Sequence, residues 1–237
     1  MKKTANKCGM NFTLSNYKTK APYLFFDWIN DYVVELSRER QFATGGQKGA
    51  NLVGFDDPIK GTIKISTQII PVELISIAAA GNVKTGAELA CREVITVAEN
   101  GKITLSQAPI AGTLYVYSAD SDCAGEPVAT TASDKEVTVA DAAAGDNYIA
   151  YYFKQDAAAK EVIFNNANTA DFYRLDGYTK LKDTEGLNSM EHVKAYKIQP
   201  QQALSLTYHG SGDPMSLDVT FDVLADDDDN VYSVTRV

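Results

Sequence analysis

The sequence predicts a mainly β fold: one antiparallel β domain with one short α-helix, split by an inserted small β-sandwich. Three observations carry this expectation. Apolar and polar residues alternate over short runs, which is the period of strands with one buried face. A single stretch breaks to helical spacing. The middle of the chain is rich in Ala, Thr, Val and Asp, with turn signals close together.

Taken in chain order, "DYVVELSRERQFA" (31–43) reads as a strand and "TGGQKGANLVGFDDP" (44–58) as a loop. Its fifteen residues by count far exceed the 2–5 that a simple hairpin connection needs. Gly45, Gly46, Gly49 and Gly54 make it costly to order. Leu52, Val53 and Phe55 are nonetheless apolar, which a merely solvated loop does not need. "GTIKISTQII" (61–70) follows as a strand, with Ile63, Ile65 and Ile69 on one side and Lys64, Ser66 and Gln68 on the other. At "PVELISIAAAG" the pattern changes. Pro71 suits a first helical position, Glu73 the first turn and Gly81 the cap, giving a short helix with an apolar face of Leu74, Ile77 and Ala78.

Residues 92–158 carry short strand candidates, "EVITVA", "KITLSQ", "GTLYVYSA", "KEVTVA" and "NYIAYYF", between turn signals such as "ENGK" and "AAAGDN". Their spacing suggests a small sandwich of immunoglobulin-like size, without the Cys…Trp…Cys core of antibody domains. From about residue 160 longer strands return: "EVIFNNA", "DFYRLDGYTKLKD", "EHVKAYKIQP", "QALSLTYHG", "SLDVTFDVL" and "NVYSVTRV". The expected organisation is one discontinuous domain (1–91 and 159–237) split by an insert (92–158).

The run Asp226 to Asp229 raises the prospect of a metal loop. An EF-hand would need Gly at its sixth position and Glu at its twelfth, where this chain has Val231 and Val237. Asp and Asn tolerate left-handed backbone and bond locally, so "DDDDN" reads as a solvated hairpin turn. Before it, Leu217, Val219, Phe221 and Val223 alternate with Ser216, Asp218, Thr220 and Asp222. The polar members lie on one strand face about 7 Å apart, too far to share a proton.

The 237 residues carry a net charge of -9, which argues against a surface that grips nucleic acid or anionic lipid. No apolar run reaches membrane-span length. The start, "MKKTANKCGMNF", has two lysines but no apolar segment behind them. Cys8, Cys91 and Cys123 are an odd count without a CxxC, so neither a disulfide framework nor a zinc site is expected. His192 and His209 lie in no nucleophile motif, "TGGQKGAN" matches neither phosphate-loop pattern, and Asp56/Asp57 and Asp120/Asp122 fall in turn-like stretches. Catalysis, cofactor and metal are therefore not expected.

Two stretches together resemble a known family. They are "YLFFDWINDYVVELSRERQFATGGQKGANLVGFDDPIKGTIKISTQIIPVELISIAAAG" and "DFYRLDGYTKLKD…HVKAYKIQPQQALSLTYHGSGDPMSLDVTFDVL". In their order ("ATGG" after a strand, an alternating strand running into a short helix, "AYKIQPQ", then "GDP" and "DVTFDVL") they resemble the tail tube, or major tail, proteins of bacteriophages infecting Gram-positive hosts. The middle region lies outside the resemblance and looks like the immunoglobulin-like insert some tail proteins carry. The resemblance implies a tail-tube-type antiparallel β-sandwich with one short flanking α-helix, whose subunits form homohexameric rings stacked into a hollow tube that conducts viral DNA without specific binding. It further implies contacts with tape measure, baseplate, terminator and, in a contractile tail, sheath proteins. The virion tail, assembled in the host cytoplasm, would be its location.

On that footing Thr44, Gly45, Gly46, Leu52, Val53 and Phe55 are expected to carry ring-to-ring stacking, and Asp218, Thr220 and Asp222 to face the lumen. Open sheet edges, a liability in a monomer, would be removed by closing a ring. The competing reading is a binding module in which exposed Tyr115, Tyr117, Tyr151 and Tyr152 recognise carbohydrate. A bacteriocin or secretion-system tube would share fold and mechanism with the phage tail.

Overall fold

The computed structural model describes residues 3–46, 48–208, 210–212 and 214–237. The fold is mainly β, with antiparallel pairing throughout the registered strand pairs and one short α-helix. Two compact units form, residues 1–83 with 162–237 and residues 84–161.

The strands in chain order are β1 (Thr4–Ala5), β2 (Asn11–Asn16), β3 (Pro22–Phe26), β4 (Ile29–Ser37), β5 (Arg40–Gly45), β6 (Ala50–Asp56) and β7 (Lys60–Thr67). Helix α1 (Val72–Ala78) precedes β8 (Asn82–Thr96), β9 (Lys102–Thr104), β10 (Tyr115–Ser118), β11 (Thr130–Ser133) and β12 (Glu136–Val139). Then come β13 (Asn147–Ile163), β14 (Tyr173–Asp183), β15 (Asn188–Pro200), β16 (Leu217–Leu224) and β17 (Tyr232–Arg236). Both β8 and β13 run without a break through the boundaries, 92 and 158, at which composition changes.

In the first unit the sheet order is β3-β2-β14-β15-β16-β7-β4, with β1 paired to β14 and β17 to β15. Alternation does the work the sequence assigned to it. Ile63 and Ile65 of β7, and Leu217, Val219, Phe221 and Val223 of β16, are buried, while Asp218 and Asp222 between them are exposed. These join Phe12, Leu14, Phe26, Leu175 and Ile198 in one core, against which α1 lays Leu74, Ile77 and Ala78. Each large side chain fully buried here contributes on the order of 1.5–3 kcal/mol.

Several local expectations are corrected. The strand expected over 61–70 ends at Thr67, and Ile69 is 56% exposed. The Thr67 hydroxyl donates to the carbonyls of Trp28 and Ile69 and accepts from the Ile69 amide, which turns the chain ahead of Pro71. Pro71 is the N-cap residue rather than the first helical one. At the other end Ala80, not Gly81, takes the left-handed conformation (φ 53). The Gly81 amide donates to Ser76 O and the Ala80 amide to Ile77 O, the two bonds of a Schellman cap. Gly81 is needed for another reason: a Cβ there would lie 2.4 Å from Val162 Cγ1 and 2.7 Å from Phe164 Cε1.

"QALSLTYHG" forms no strand over residues 201–208. Gln202 is left-handed (φ 56) and bends the chain out of the sheet, although Leu204 and Leu206 still pack on the core. The C-terminal hairpin is corrected as well. Both β16 and β17 pair antiparallel with β15, through Lys197–Pro200 and Glu191–Ala195 respectively. They therefore run in the same direction, and the aspartate loop is an excursion from one edge rather than a reversal. It is still a turn: Asp226 Oδ1 accepts from the amides of Asp228 and Asn230, and Asp229 is left-handed (φ 61). Despite desolvation, those amide bonds hold the Asp226 carboxyl below its usual range.

The second unit holds two three-stranded sheets, β10-β13-β8 and β11-β12-β9. Its core is Val97, Ile103, Leu105, Val116, Val137, Val139, Ala150 and Tyr152. Glu93 ties its strands together by accepting from the hydroxyls of Ser106 and Tyr152.

No helix among the described residues is long and apolar enough to cross a membrane.

Candidate functional site

The segment expected as a structureless loop is half of a β-arm. From Ile29 to Thr67 the chain makes one long antiparallel hairpin, with β4 paired to β7 and then β5 to β6. The amide of Asp57 donates to Glu39 O across the junction, which keeps the ribbon continuous. β4 and β7 lie in the core sheet, whereas β5 and β6 form a separate two-stranded sheet. At about 3.3 Å per residue the outer arm is roughly 20 Å long. Its turn is made by Gly46 (φ 79) and Gly49 (φ 63), with the Gly49 amide donating to Gly46 O. Gln47 lies outside the described residues.

The misreading has a physical origin. Glycines and a mixed composition weakened the strand signal, while pairing across the arm, which sequence periodicity does not see, orders it. Its two faces differ. Arg40 and Asp56 sit opposite one another and form an ion pair of 2.5 Å that holds the Asp56 carboxyl below its usual range. On the other face lie Gln41, Ala43, Val53 and Phe55, and Leu52 folds over Gly45, whose Cβ would meet Leu52 Cδ1 at 2.6 Å. Leu52 is 68% and Phe55 61% exposed, and Val53 and Phe42 are exposed too. Thr44, Gly45, Gly46, Leu52, Val53 and Phe55 are thus brought together on one arm, and Phe42 is a member sequence reasoning missed. An isolated two-stranded hairpin is at best marginally stable in water. Apolar faces left open in this way commonly mark interaction surfaces.

A second surface is the solvent face of β4, β7 and β16. Registers place Asp31, Ser66 and Asp218 in one row, Val33, Lys64 and Thr220 in the next, and Glu35, Thr62 and Asp222 in a third. Four carboxylates thus surround one lysine. Lys64 Nζ approaches Asp218 Oδ2 at 2.6 Å and Ser66 donates to Asp218 Oδ1 at 2.6 Å, and these bonds hold the Asp218 carboxyl below its usual range. Gln201 donates to Asp222 Oδ1 at 2.8 Å. Asp218, Thr220 and Asp222 do share one face, but Asp218 is charge-compensated. Asp31 and Glu35, whose alternation with Tyr32 and Val34 was available in the sequence, complete the grid.

The remaining chemistry-bearing residues are dispersed. His192 is exposed on β15, with its ring 6.1 Å from that of Tyr178; His209 and Asp213 lie outside the described residues. Among the described residues no three His, Cys, Asp or Glu side chains are placed to hold a metal ion. Cys8, Cys91 and Cys123 are free thiols.

The fold is almost entirely sheet, and its β5–β6 hairpin holds apolar side chains outside the core. The sequence model of the YomU/Tube protein family matches residues 9–237, and the chain belongs to that family of phage-derived tube proteins. No curated protein matches the chain as a relative.

Proposed function

We propose that the protein forms homohexameric rings that stack into a phage tail tube, the conduit through which the genome enters a Gram-positive host. The observation that carries the reading is the β5–β6 arm. Its apolar face is unsatisfied within one subunit, and stacking a second ring on it would bury Leu52, Val53 and Phe55. Ring closure would cover the outermost strands of the sheet, β3 and β4, which otherwise present unpaired backbone groups.

The face bearing Asp31, Glu35, Asp218 and Asp222 is assigned to the lumen, with Thr220 between them. Like charge keeps DNA from adhering to the wall while it moves. The second unit is read as an immunoglobulin-like decoration inserted into the tube domain. The chain works without catalysis, as a virion tail component assembled in the host cytoplasm, in contact with tape measure, baseplate, terminator and, in a contractile tail, sheath proteins.

Native mass measurement and negative-stain imaging of concentrated protein test this. Hexameric rings or tubes are the expected result. A species that stays monomeric at every salt concentration would overturn it.

A further inference from the structure

The outer face of the β10-β13-β8 sheet carries chemistry to which the assembly proposed above assigns no role. Along β10 and β13, Val116, Ala150 and Tyr152 point into the core, so Tyr115, Tyr117, Tyr151 and Phe153 take the opposite face. Tyr115 stands directly across from Tyr151, is 53% exposed, and Phe153 is exposed beside it. An open cleft of about 350 Å³ is lined by Tyr115, Tyr151 and Phe153 together with Tyr152, Cys91 and the segments at Ala90 and 112–113. That volume is at the lower end of small-ligand sites.

One rim of this aromatic face is a fixed polar triad. Arg92 donates through Nε to the Tyr151 hydroxyl and through Nη2 to Asp122 Oδ2, both at 2.9 Å. The Tyr151 hydroxyl in turn donates to Asp122 Oδ1 at 2.8 Å. The Tyr117 ring meets Tyr151 edge-on at 5.9 Å and restrains it further. Asp122 holds a left-handed backbone (φ 48) in a short 3₁₀ turn. A non-glycine residue kept in that region by two side-chain partners, Arg92 and Tyr151, is a feature worth a functional explanation.

We propose that this cleft binds an uncharged glycan. The C–H faces of pyranose rings carry partial positive charge and pack on the negative faces of aromatic rings. Sugar hydroxyls bond well to charged groups, and the Arg92–Asp122 pair, 49% and 36% exposed, stands at the edge of the rings while fixing Tyr151 among them. Charge selects against the alternatives. Residues 84–161 carry six basic and twelve acidic side chains, so DNA and anionic wall polymers are repelled. Arg92 is compensated by Asp122. A protein partner is less well served, because the rings flank a small concavity instead of forming a broad apolar face.

The full-length protein should be slowed in native gels containing at least one neutral polysaccharide among dextran, mannan and mixed-linkage β-glucan, or should bind bacterial wall fragments. Polygalacturonate should not slow it. Tyr115→Ala is expected to weaken binding about tenfold, and Tyr115→Phe, which keeps the ring, to retain most of it. Arg92→Lys, which loses the fork that fixes Tyr151 and Asp122, should also weaken it about tenfold. Tube formation should be unchanged in all three, so failure here is distinct from failure of the assembly reading. Absence of binding to every neutral glycan and wall fragment would overturn the proposal. So would equal binding by Tyr115→Ala, or wall binding that survives periodate oxidation of the glycans and is lost on protease treatment.

Discussion

The rings of Phe12 and Tyr32 lie 4.4 Å apart, centroid to centroid, although four strands separate β2 from β4 along the sheet. Only a sheet curled onto itself brings them together, so this pair marks the closure of the sandwich. The space Phe12 occupies exists because its cross-strand neighbour is Gly177, where a Cβ would lie 2.3 Å from the Phe12 ring. Gly177→Ala is expected to displace the ring and destabilise the subunit by about 1–3 kcal/mol. A melting temperature unchanged from the wild type would show that the ring moves at no cost.

The end of α1 offers the opposite experiment. Ala80 occupies the left-handed position of the Schellman cap, where an L-residue pays a steric penalty and glycine does not. Ala80→Gly should stabilise the protein by about 0.5 kcal/mol, after allowing for the extra freedom glycine gives the unfolded chain. Gly81→Ala should destabilise it, since the new methyl group would collide with Val162 and Phe164. Urea titration of both variants checks the pair, and a destabilised Ala80→Gly would refute the cap assignment.

How far the sequence was legible follows from what its periods encode. Alternation found β7 and β16, and β14 and β15 were read as longer strands beside them; each buries one face in a single core. It also named Asp218, Thr220 and Asp222 as one face. The pairing of Phe12 and Leu14 in "NFTLSN" was equally available, and both are fully buried on β2. The expected strand over 31–43 reached into the first half of the arm, but its return half, β6, was not legible, because a ribbon exposed on both faces has no core to impose a period. Nor did the path of β16 and β17 along one edge of β15 show. A turn sequence specifies local bends and leaves open which strand the chain rejoins.

Acid should loosen one part of the carboxylate face. The Asp218 carboxyl is held below its usual range by Lys64 and Ser66. A carboxylate whose folded pKa is depressed contributes stability above its unfolded pKa, near 4. That contribution is lost as pH falls through the lower folded value. Asp218→Asn should therefore be less stable than wild type at pH 7 by a fraction of a kcal/mol, since the pair is half exposed. The two melting temperatures should converge toward pH 2. A difference that grows on acidification would reverse the sign of the argument.

The arm gives the most decisive test, because its role in one subunit and in an assembly can be separated. Leu52 and Phe55 contact no core in the subunit and are 68% and 61% exposed, so Leu52→Asp with Phe55→Asp should leave the monomer's melting temperature within about 2 °C of wild type. The same pair placed between stacked rings would bury two unpaired charges, a cost of several kcal/mol per contact. Tubes should therefore be lost while soluble subunits persist. Hydrogen exchange supplies the independent reading. Amides of residues 40–56 should exchange quickly in the isolated subunit, where the ribbon is two strands without a packed face, and become protected on polymerisation. Equal exchange in both states, or normal tubes from the double variant, would remove the arm from ring stacking.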